Sequence, residues 1–424
     1  MNVTITPARL KGKVTVPPSK SQAHRLIIAA ALAAGESVIT NVAYSKDIEA
    51  TIRCMEELGA GFIREGGTLT IQGMGANSMS PMRRLAFPHL DCGESGSTLR
   101  FLLPVAGVLG AKAVFHMEGR LPQRPLAPFD QVLRAGGMEI RKEADLLYTS
   151  GKLKAGSYSI PGDISSQYIS GLLMALPLAQ GDSSLQITGG LESAPYITMT
   201  EQALIRAGLV FEKHGRDYIL PGGQRPLLPP DCTVEGDYSG AAFLLCMGAL
   251  SRDGITVTGL DPASAQGDRA VLELLARFGA QVTETAQGIT VRYGPLRAIT
   301  VDAAPIPDLI PPLAVIAAAA AGETHIIHAG RLRLKESDRL RATADLMTTL
   351  GADVTELPEG LIIRGGKPFT GGTVSSWGDH RIAMSAALAA SLCTGPVEIC
   401  DSQCTEKSYP AFWRDLASLK GVEP

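Results

Sequence analysis

A glycine followed by an alternating strand recurs six times in this 424-residue chain. The runs are GESVIT from Gly35, GAKAVF from Gly110, GDSSLQIT from Gly181, GITVTG from Gly254, GETHIIH from Gly322 and GPVEIC from Gly395. Successive starts lie roughly 70 residues apart, a longer period than the usual solenoid repeats. Each start leads into an amphipathic helix that ends near a second glycine, as at Gly59, Gly208, Gly279 and Gly351. Glycine just past a helical pattern is a C-cap signal, because it takes the left-handed conformation without a Cβ clash. Two short strands follow, such as AGFIRE with TLTIQG and AQVTET with GITVRYG. The unit mixes strands and helices, so the chain reads as an α/β fold.

A second helix in each unit has a different character. SKSQAHRLIIAAALAAG, ESGSTLRFLLPVAGVLG, SSQYISGLLMALPLAQG, DYSGAAFLLCMGALSRDG, DLIPPLAVIAAAAAG and DHRIAMSAALAASLCTG occupy equivalent places. Each opens polar and continues apolar all round, rich in Ala and Gly. That is the pattern of a helix buried within a domain.

A chain this long exceeds one ordinary core, so two domains are expected, with three units each. The sixth unit stops at Gly421 without a trailing strand pair, while NVTIT and KVTVP precede the first unit. The simplest reading lets residues 1–16 complete the last unit. Residues 17–231 then hold units one to three. Residues 1–16 with 232–424 form a discontinuous domain holding units four to six. The crossings fall near Val16 to Pro18 and Pro229 to Glu235.

The net charge of -3 carries no basic excess for a nucleic-acid surface. Aromatic residues at 5% offer no platform for stacking bases. The most apolar run, Leu313 to Ala321, falls short of the ~20 residues of a membrane span. Met1 to Thr6 reads as a strand rather than as a signal peptide, and seven scattered cysteines lack the spacing expected of a disulfide framework or a zinc site. The expected compartment is the reducing cytoplasm.

Chemistry-bearing residues gather at the starts of the buried helices. Helix N-termini present unpaired N–H groups and a partial positive charge, which suits an anion. Three parallel starts per domain, opposed across a hinge, would line a cleft. Unit one offers Ser19, Lys20, Ser21 and Arg25; unit two offers Glu94, Ser95, Gly96, Ser97, Thr98 and Arg100. Unit three brings Ser165, Ser166 and Gln167, and Asp308 and His380–Arg381 open later helices. Outside these starts lie Arg120 and Arg124 in EGRLPQRPLAP, and Lys335, Glu336, Asp338 and Arg339 in RLRLKESDRLRA. On a helix, Lys335 and Arg339 share a face with Glu336 at its edge. Lys407 holds the matching place in unit six. Ser, Thr and Asp at helix starts also serve as plain caps, and KESDRLR also reads as a solvated charged face. His24, His89, His116, His214, His325 and His328 read as ordinary core or surface residues. No GxxxxGK[ST] loop is present.

PSKSQAHR, ESGSTLR, GRLPQRP, ISSQYISGLLMA, SAPYIT, PDLIPPLA, LRLKESDRL, GDHRIAM and CTEKSYP occur in that order. Together, over essentially the full length, the chain resembles the 5-enolpyruvylshikimate-3-phosphate synthase family of enolpyruvyl transferases. The resemblance implies a two-domain fold of six βαβαββ units, three per domain about a pseudo-threefold axis, an inside-out α/β barrel closing over substrate. It implies transfer of the enolpyruvyl group of phosphoenolpyruvate to the 5-hydroxyl of shikimate 3-phosphate, in aromatic amino acid biosynthesis. By the same resemblance Lys20, Ser21, Arg25, Ser165, Ser166, Gln167, Ser193, Asp308 and Lys335 hold shikimate 3-phosphate. Lys20, Gly96, Arg124, Gln167, Arg339, Arg381 and Lys407 hold phosphoenolpyruvate. Asp308 acts as base and Glu336 as proton donor to the methylene carbon, with Lys20 and Lys407 counted in the catalytic set. The implied enzyme is a monomer needing no metal or organic cofactor, and no nucleic acid or membrane partner.

Two positions depart from the family pattern. Glu94 stands where the family often has Asn, and Arg331 lies near a place where some members have Asn. The runner-up is the transferase that enolpyruvylates UDP-N-acetylglucosamine, but GRLPQRPLAP lacks its loop cysteine, and SSQY with SAPY fits the shikimate enzyme better. A non-catalytic repeat-built binding protein is the alternative of another class. It should have lost Lys20, Asp308, Glu336 or Lys407, and all four are present.

Overall fold

The computed structural model describes residues 1–75, 87–229 and 232–420. Pro230 and Asp231, within the expected second crossing, and Gly421, where the sixth unit was read to stop, lie outside the described residues. The chain divides into two compact units, one of Met1–Ser19 with Glu235–Pro424 and one of Lys20–Val234.

Lys20–Val234 holds three copies of strand, buried helix, strand, outer helix and two antiparallel strands. Its buried helices are Lys20–Leu32, Gly96–Leu109 and Ser166–Ala175, and its outer helices are Lys46–Leu58, Phe129–Ala135 and Ala194–Arg206. From Ala23 to Leu32 every residue is buried, as expected of a helix with no polar face. Small residues set how closely these helices approach. A Cβ added to Gly171 would lie 2.4 Å from the Arg100 carbonyl oxygen, so any side chain there would force two helices apart. Gly59 ends the first outer helix with φ 122°, and Gly208 follows the third with φ 71°.

The other unit repeats the plan around its own core. Its buried helices Tyr238–Leu250, Ile310–Ala319 and His380–Ala389 touch one another, and Val271–Phe278, Arg339–Thr349 and Phe412–Ser418 lie outside them. Five of the six sheets follow one order. A short strand pairs in parallel with the strand after the buried helix, and the two antiparallel strands complete it.

Two strands cross over between sequence neighbours. Val3–Ile5 pairs antiparallel with Val397–Cys400 and so completes the sixth sheet, which has three strands. Gly12–Thr15 does not join it. It pairs in parallel with Ile255–Thr258 and serves the fourth sheet, ahead of helix Tyr238–Leu250. Cys232–Thr233 likewise pairs with Ala34–Thr40 in the first sheet. Only half of the N-terminal segment therefore completes the last unit. The residue pattern of KVTVP specifies a strand but not its partner, because register and partner come from tertiary packing. The short leading strands, such as His89–Asp91 and Thr300–Asp302, are too brief to show alternation in the sequence.

Among the described residues no helix is long and apolar enough to cross a membrane, and no group of three or more His, Cys, Asp or Glu is placed to hold a metal ion.

Candidate active site

In the unit Lys20–Val234, polar residues concentrate where the buried helices begin. Lys20 opens its helix, and its Nζ lies 2.8 Å from Asp47 Oδ2 in the first turn of the neighbouring outer helix. Ser21 is half-buried in the same turn. Arg25, one turn on, is buried beneath it. Its Nε donates to Thr200 Oγ1 at 2.8 Å, Nη1 to the Ser21 carbonyl at 2.6 Å, and Nη2 to the Tyr196 carbonyl at 2.8 Å. Its guanidinium also stacks 5.1 Å from the Phe101 ring. Burial lowers its pKa to about 10, still high enough to keep it charged. His24 is buried and bonded through Nδ1 to Thr51 Oγ1 at 2.7 Å. Burial drives its pKa down to about 3, with Lys20 and Arg25 helping and Asp47 opposing, so it stays neutral.

The second and third helix starts are tied together. Ser165 caps its helix by accepting from the Gln167 backbone N–H at 3.3 Å. Ser166 is buried in the first turn. The Gln167 side chain accepts from Arg100 Nη1 at 2.9 Å and donates to Ser97 Oγ at 3.0 Å. Gly96 begins the second helix under two guanidinium groups. A Cβ there would lie 2.5 Å from Arg100 Nη1 and 2.6 Å from Arg124 Nη1. Glycine is what lets both cations sit over this helix start. Ser193 is buried at φ 53° and ψ 37°, a conformation costly for a residue with a Cβ. Arg120 is exposed. Glu94 is exposed too, and a Cβ on Gly119 would lie 1.9 Å from its Oε1, so its carboxylate fills the space over Gly119.

The other unit carries a denser network. Arg339, only 1% exposed, reaches three carboxylates: Asp308 Oδ1 at 2.8 Å, Glu336 Oε2 at 2.5 Å and Asp379 Oδ2 at 2.9 Å. Arg381 Nη2 lies 3.1 Å from Asp308 Oδ2, and Lys335 Nζ lies 3.8 Å from Asp308 Oδ1. Arg381 Nη2 also donates to Ser239 Oγ at 3.3 Å. Ser239, Asp308 and Arg381 sit at the starts of the three buried helices, so these bonds bring the three starts together. Asp379 caps the third by accepting from the Arg381 backbone N–H at 2.9 Å, and also accepts from Ser337 Oγ at 3.0 Å. Lys407 is buried at the end of the turn Ser402–Lys407, which packs against the helix carrying Arg381.

Burial pushes the Asp308 carboxyl up. Arg381, Lys335 and Arg339 outweigh that and hold it well below the usual carboxylate range, with Glu336 opposing them. Burial pulls the Lys335 ammonium down to about 8, against the attraction of Asp308 and with help from Arg331 and Arg339. Three carboxylates thus face three cations in this network, which leaves it close to neutral.

The expectation that Lys335 and Arg339 share a helical face is corrected. The helix begins at Arg339, Asp338 caps it by accepting from the Arg341 backbone N–H at 3.1 Å, and Lys335 and Glu336 lie in the bend before it. From the bend and from the helix start, Lys335 and Arg339 both reach Asp308 Oδ1. Asp379 and Ser337 were not singled out as candidates. An Asp before a helix reads as a cap, and its pairing with Arg339 spans 40 residues.

The comparisons with known proteins agree with one another. A family model described as EPSP synthase (3-phosphoshikimate 1-carboxyvinyltransferase) matches residues 5–416. A Clostridium kluyveri protein named 3-phosphoshikimate 1-carboxyvinyltransferase is 43% identical over 422 residues, covering 99% of this chain and 97% of its own. A Clostridium perfringens protein of the same name is 42% identical over 424 residues, covering 99% and 98%. Among solved structures, an EPSP synthase from Acinetobacter baumannii matches with a TM-score of 0.81 at 29% identity, covering 99% of this chain and 98% of that one. The enolpyruvyl transferase NikO from Streptomyces tendae shares the fold, with a TM-score of 0.76 at 21% identity over 98% of this chain and 96% of its own. With that family model and relatives above 40% identity spanning nearly the whole length, the chain belongs to the EPSP synthase (3-phosphoshikimate 1-carboxyvinyltransferase) family.

Proposed function

We propose that this enzyme moves the enolpyruvyl group of phosphoenolpyruvate onto the 5-hydroxyl of shikimate 3-phosphate and releases phosphate. The observation that carries the residue assignment is the buried network of Asp308, Glu336, Arg339 and Arg381, where two carboxylates share cations suited to an anionic substrate.

The chemistry divides into addition and elimination. The 5-hydroxyl oxygen attacks C2 of phosphoenolpyruvate as Asp308 takes the hydroxyl proton, while Glu336 gives a proton to C3. The tetrahedral adduct then loses its C3 proton back to Glu336 and expels phosphate, which leaves with the proton Asp308 had taken, so the enol ether forms and both carboxyls end as they began. Arg339, Arg381, Arg124, Lys20 and Lys407 are assigned to the carboxylate and phosphate of phosphoenolpyruvate, as are Gly96 and Gln167. Cations placed there stabilise the charge that grows on the leaving phosphate. Ser21, Arg25, Ser165, Ser166, Gln167, Ser193 and Lys335, again with Lys20 and Asp308, are assigned to shikimate 3-phosphate.

The electrostatics give this scheme a reason. With three cations on it, Asp308 is a weak base. An incoming anion that engages Arg339 and Arg381 loosens their hold and makes Asp308 more basic when substrate is present. The same anion makes proton retention by the neighbouring carboxyl Glu336 less costly, as a proton donor needs. The scheme uses two small soluble substrates and no cofactor, and we take the enzyme to work as a cytoplasmic monomer.

Asp308→Ala and Glu336→Gln should each lower turnover by roughly 10²–10⁴-fold, the usual contribution of a general acid or base. Phosphate release from phosphoenolpyruvate and shikimate 3-phosphate measures this. Near-normal turnover in either variant removes the role assigned to that residue.

A further inference from the structure

Asp268 lies in the turn Gly267–Ala270, outside every motif that points to the reaction. Its side chain is nevertheless turned inward, 3% exposed, at the start of helix Tyr238–Leu250. Oδ2 accepts a hydrogen bond from Ser239 Oγ. Oδ1 is buried and has no hydrogen-bond partner. Ser239 Oγ in turn accepts from Arg381 Nη2 at 3.3 Å, and the same Nη2 lies 3.1 Å from Asp308 Oδ2. Asp268, Ser239, Arg381 and Asp308 therefore form one chain of contacts.

We propose that Asp268 is a positioning residue for phosphoenolpyruvate, acting through Ser239 on Arg381: ionised, it competes with the substrate anion for Arg381, and protonated, it releases Arg381 to the substrate. The proposal rests on the reading above that Arg381 holds phosphoenolpyruvate.

Charge balance supports it. Arg381, Arg339 and Lys335 already face Asp308, Glu336 and Asp379. Asp268 adds a further carboxylate beside Asp308, and it has the poorest means of holding a charge, with one oxygen accepting from a hydroxyl and the other without a hydrogen bond. The groups facing it are Asp237 and Ser239 at the helix start, Asp308 and Arg381. Arg269 beside it is exposed and faces Tyr238, and Glu273 and Arg277 on the following helix are exposed as well. Burial, then the charge of Asp308, pushes the Asp268 carboxyl up to about 7, against Arg381 and the Ser239 bond. Its proton is thus exchanged near neutral pH. Protonation also reverses the Ser239 bond, since a neutral carboxyl donates to Oγ and leaves the serine O–H free to turn toward an anion.

The test is steady-state kinetics from about pH 6 to pH 9 on wild type, Asp268→Asn and Ser239→Ala. The ionisation of phosphoenolpyruvate itself is common to all three, so differences between profiles isolate the protein. In wild type, KM for phosphoenolpyruvate should rise by roughly tenfold across the Asp268 transition, the effect of one unit of pKa coupling. KM for shikimate 3-phosphate should move instead with Lys335, whose pKa is pulled down to about 8, and should do so equally in all three proteins. Asp268→Asn should lose that rise, so that its KM falls below wild type at high pH; a purely structural role would raise KM equally at every pH. Ser239→Ala removes the linking hydroxyl and should move the profile toward that of Asp268→Asn, which keeps the question decidable should the first variant fold poorly. A wild-type slope in either variant overturns the proposal while leaving the reaction intact. A wild-type enzyme that released no phosphate at all would instead remove the reading beneath it.

Discussion

Arg339→Met is the perturbation whose size follows most directly from the structure. The guanidinium is 1% exposed and bonds Asp308, Glu336 and Asp379, of which Asp379 is itself fully buried. Methionine keeps most of the volume, so the packing loss is small. The electrostatic loss is not small. Removing one partner of a buried pair leaves an uncompensated charge and costs about 3–5 kcal/mol, against a total of about 5–15 kcal/mol for a domain. With a urea slope of about 2 kcal/mol per M, the unfolding midpoint should fall by about 2 M. The two tryptophans, Trp377 and Trp413, both lie in the unit that contains Arg339, so their fluorescence follows that unit's unfolding. The sign of the pH effect is also set. Without Arg339 the orphaned carboxyls bind protons more tightly when folded than when unfolded, so the deficit should be full near pH 7 and shrink toward about pH 5. A loss under about 1 kcal/mol, or a deficit indifferent to pH, would show that Arg339 is not what compensates these carboxylates.

Gly96→Ala places a Cβ 2.5–2.6 Å from the Arg100 and Arg124 guanidinium nitrogens, so both tips must move. We expect KM for phosphoenolpyruvate to rise by roughly tenfold or more, since displacements near 1 Å in a site cost up to ~100-fold, with a smaller change for shikimate 3-phosphate; unchanged KM values in steady-state assays would refute the crowding argument. His24, held neutral with a pKa near 3, contributes stability that is present above the unfolded histidine value and lost as pH falls through the interval below it. The loss should be ~1.4 kcal/mol per pH unit below about 6.5, and His24→Asn should not show it; parallel pH dependences in denaturant titrations would contradict the burial assignment.

Legibility in the sequence varied with the range of the interaction. The buried helices were readable because Ala- and Gly-rich apolar runs cannot face water on any side, and Gly59 and Gly279 punctuated their amphipathic neighbours because a left-handed C-cap is local. The partner of Gly12–Thr15 was not readable: the strand Ile255–Thr258 is more than 200 residues away, and nothing in VTV distinguishes one parallel edge from another. The site divided the same way. Lys20, Arg25, Gln167, Asp308 and Arg381 could be named from helix starts and motifs, whereas Asp379 and Asp268 look like any cap or turn acid until burial and partner are known. The bend at Lys335–Asp338 escaped because the i,i+4 spacing of Lys335 and Arg339 imitates a helix that Asp338 starts only afterwards.

Everything assigned to Asp308, Glu336 and their cations depends on transfer of enolpyruvyl to shikimate 3-phosphate. Its most direct measurement is phosphate release by the purified protein from phosphoenolpyruvate with shikimate 3-phosphate as acceptor, beside a parallel reaction with UDP-N-acetylglucosamine. One phosphate should be released per acceptor consumed with shikimate 3-phosphate, and only background with the nucleotide sugar. Release with UDP-N-acetylglucosamine, or none with shikimate 3-phosphate, would contradict it.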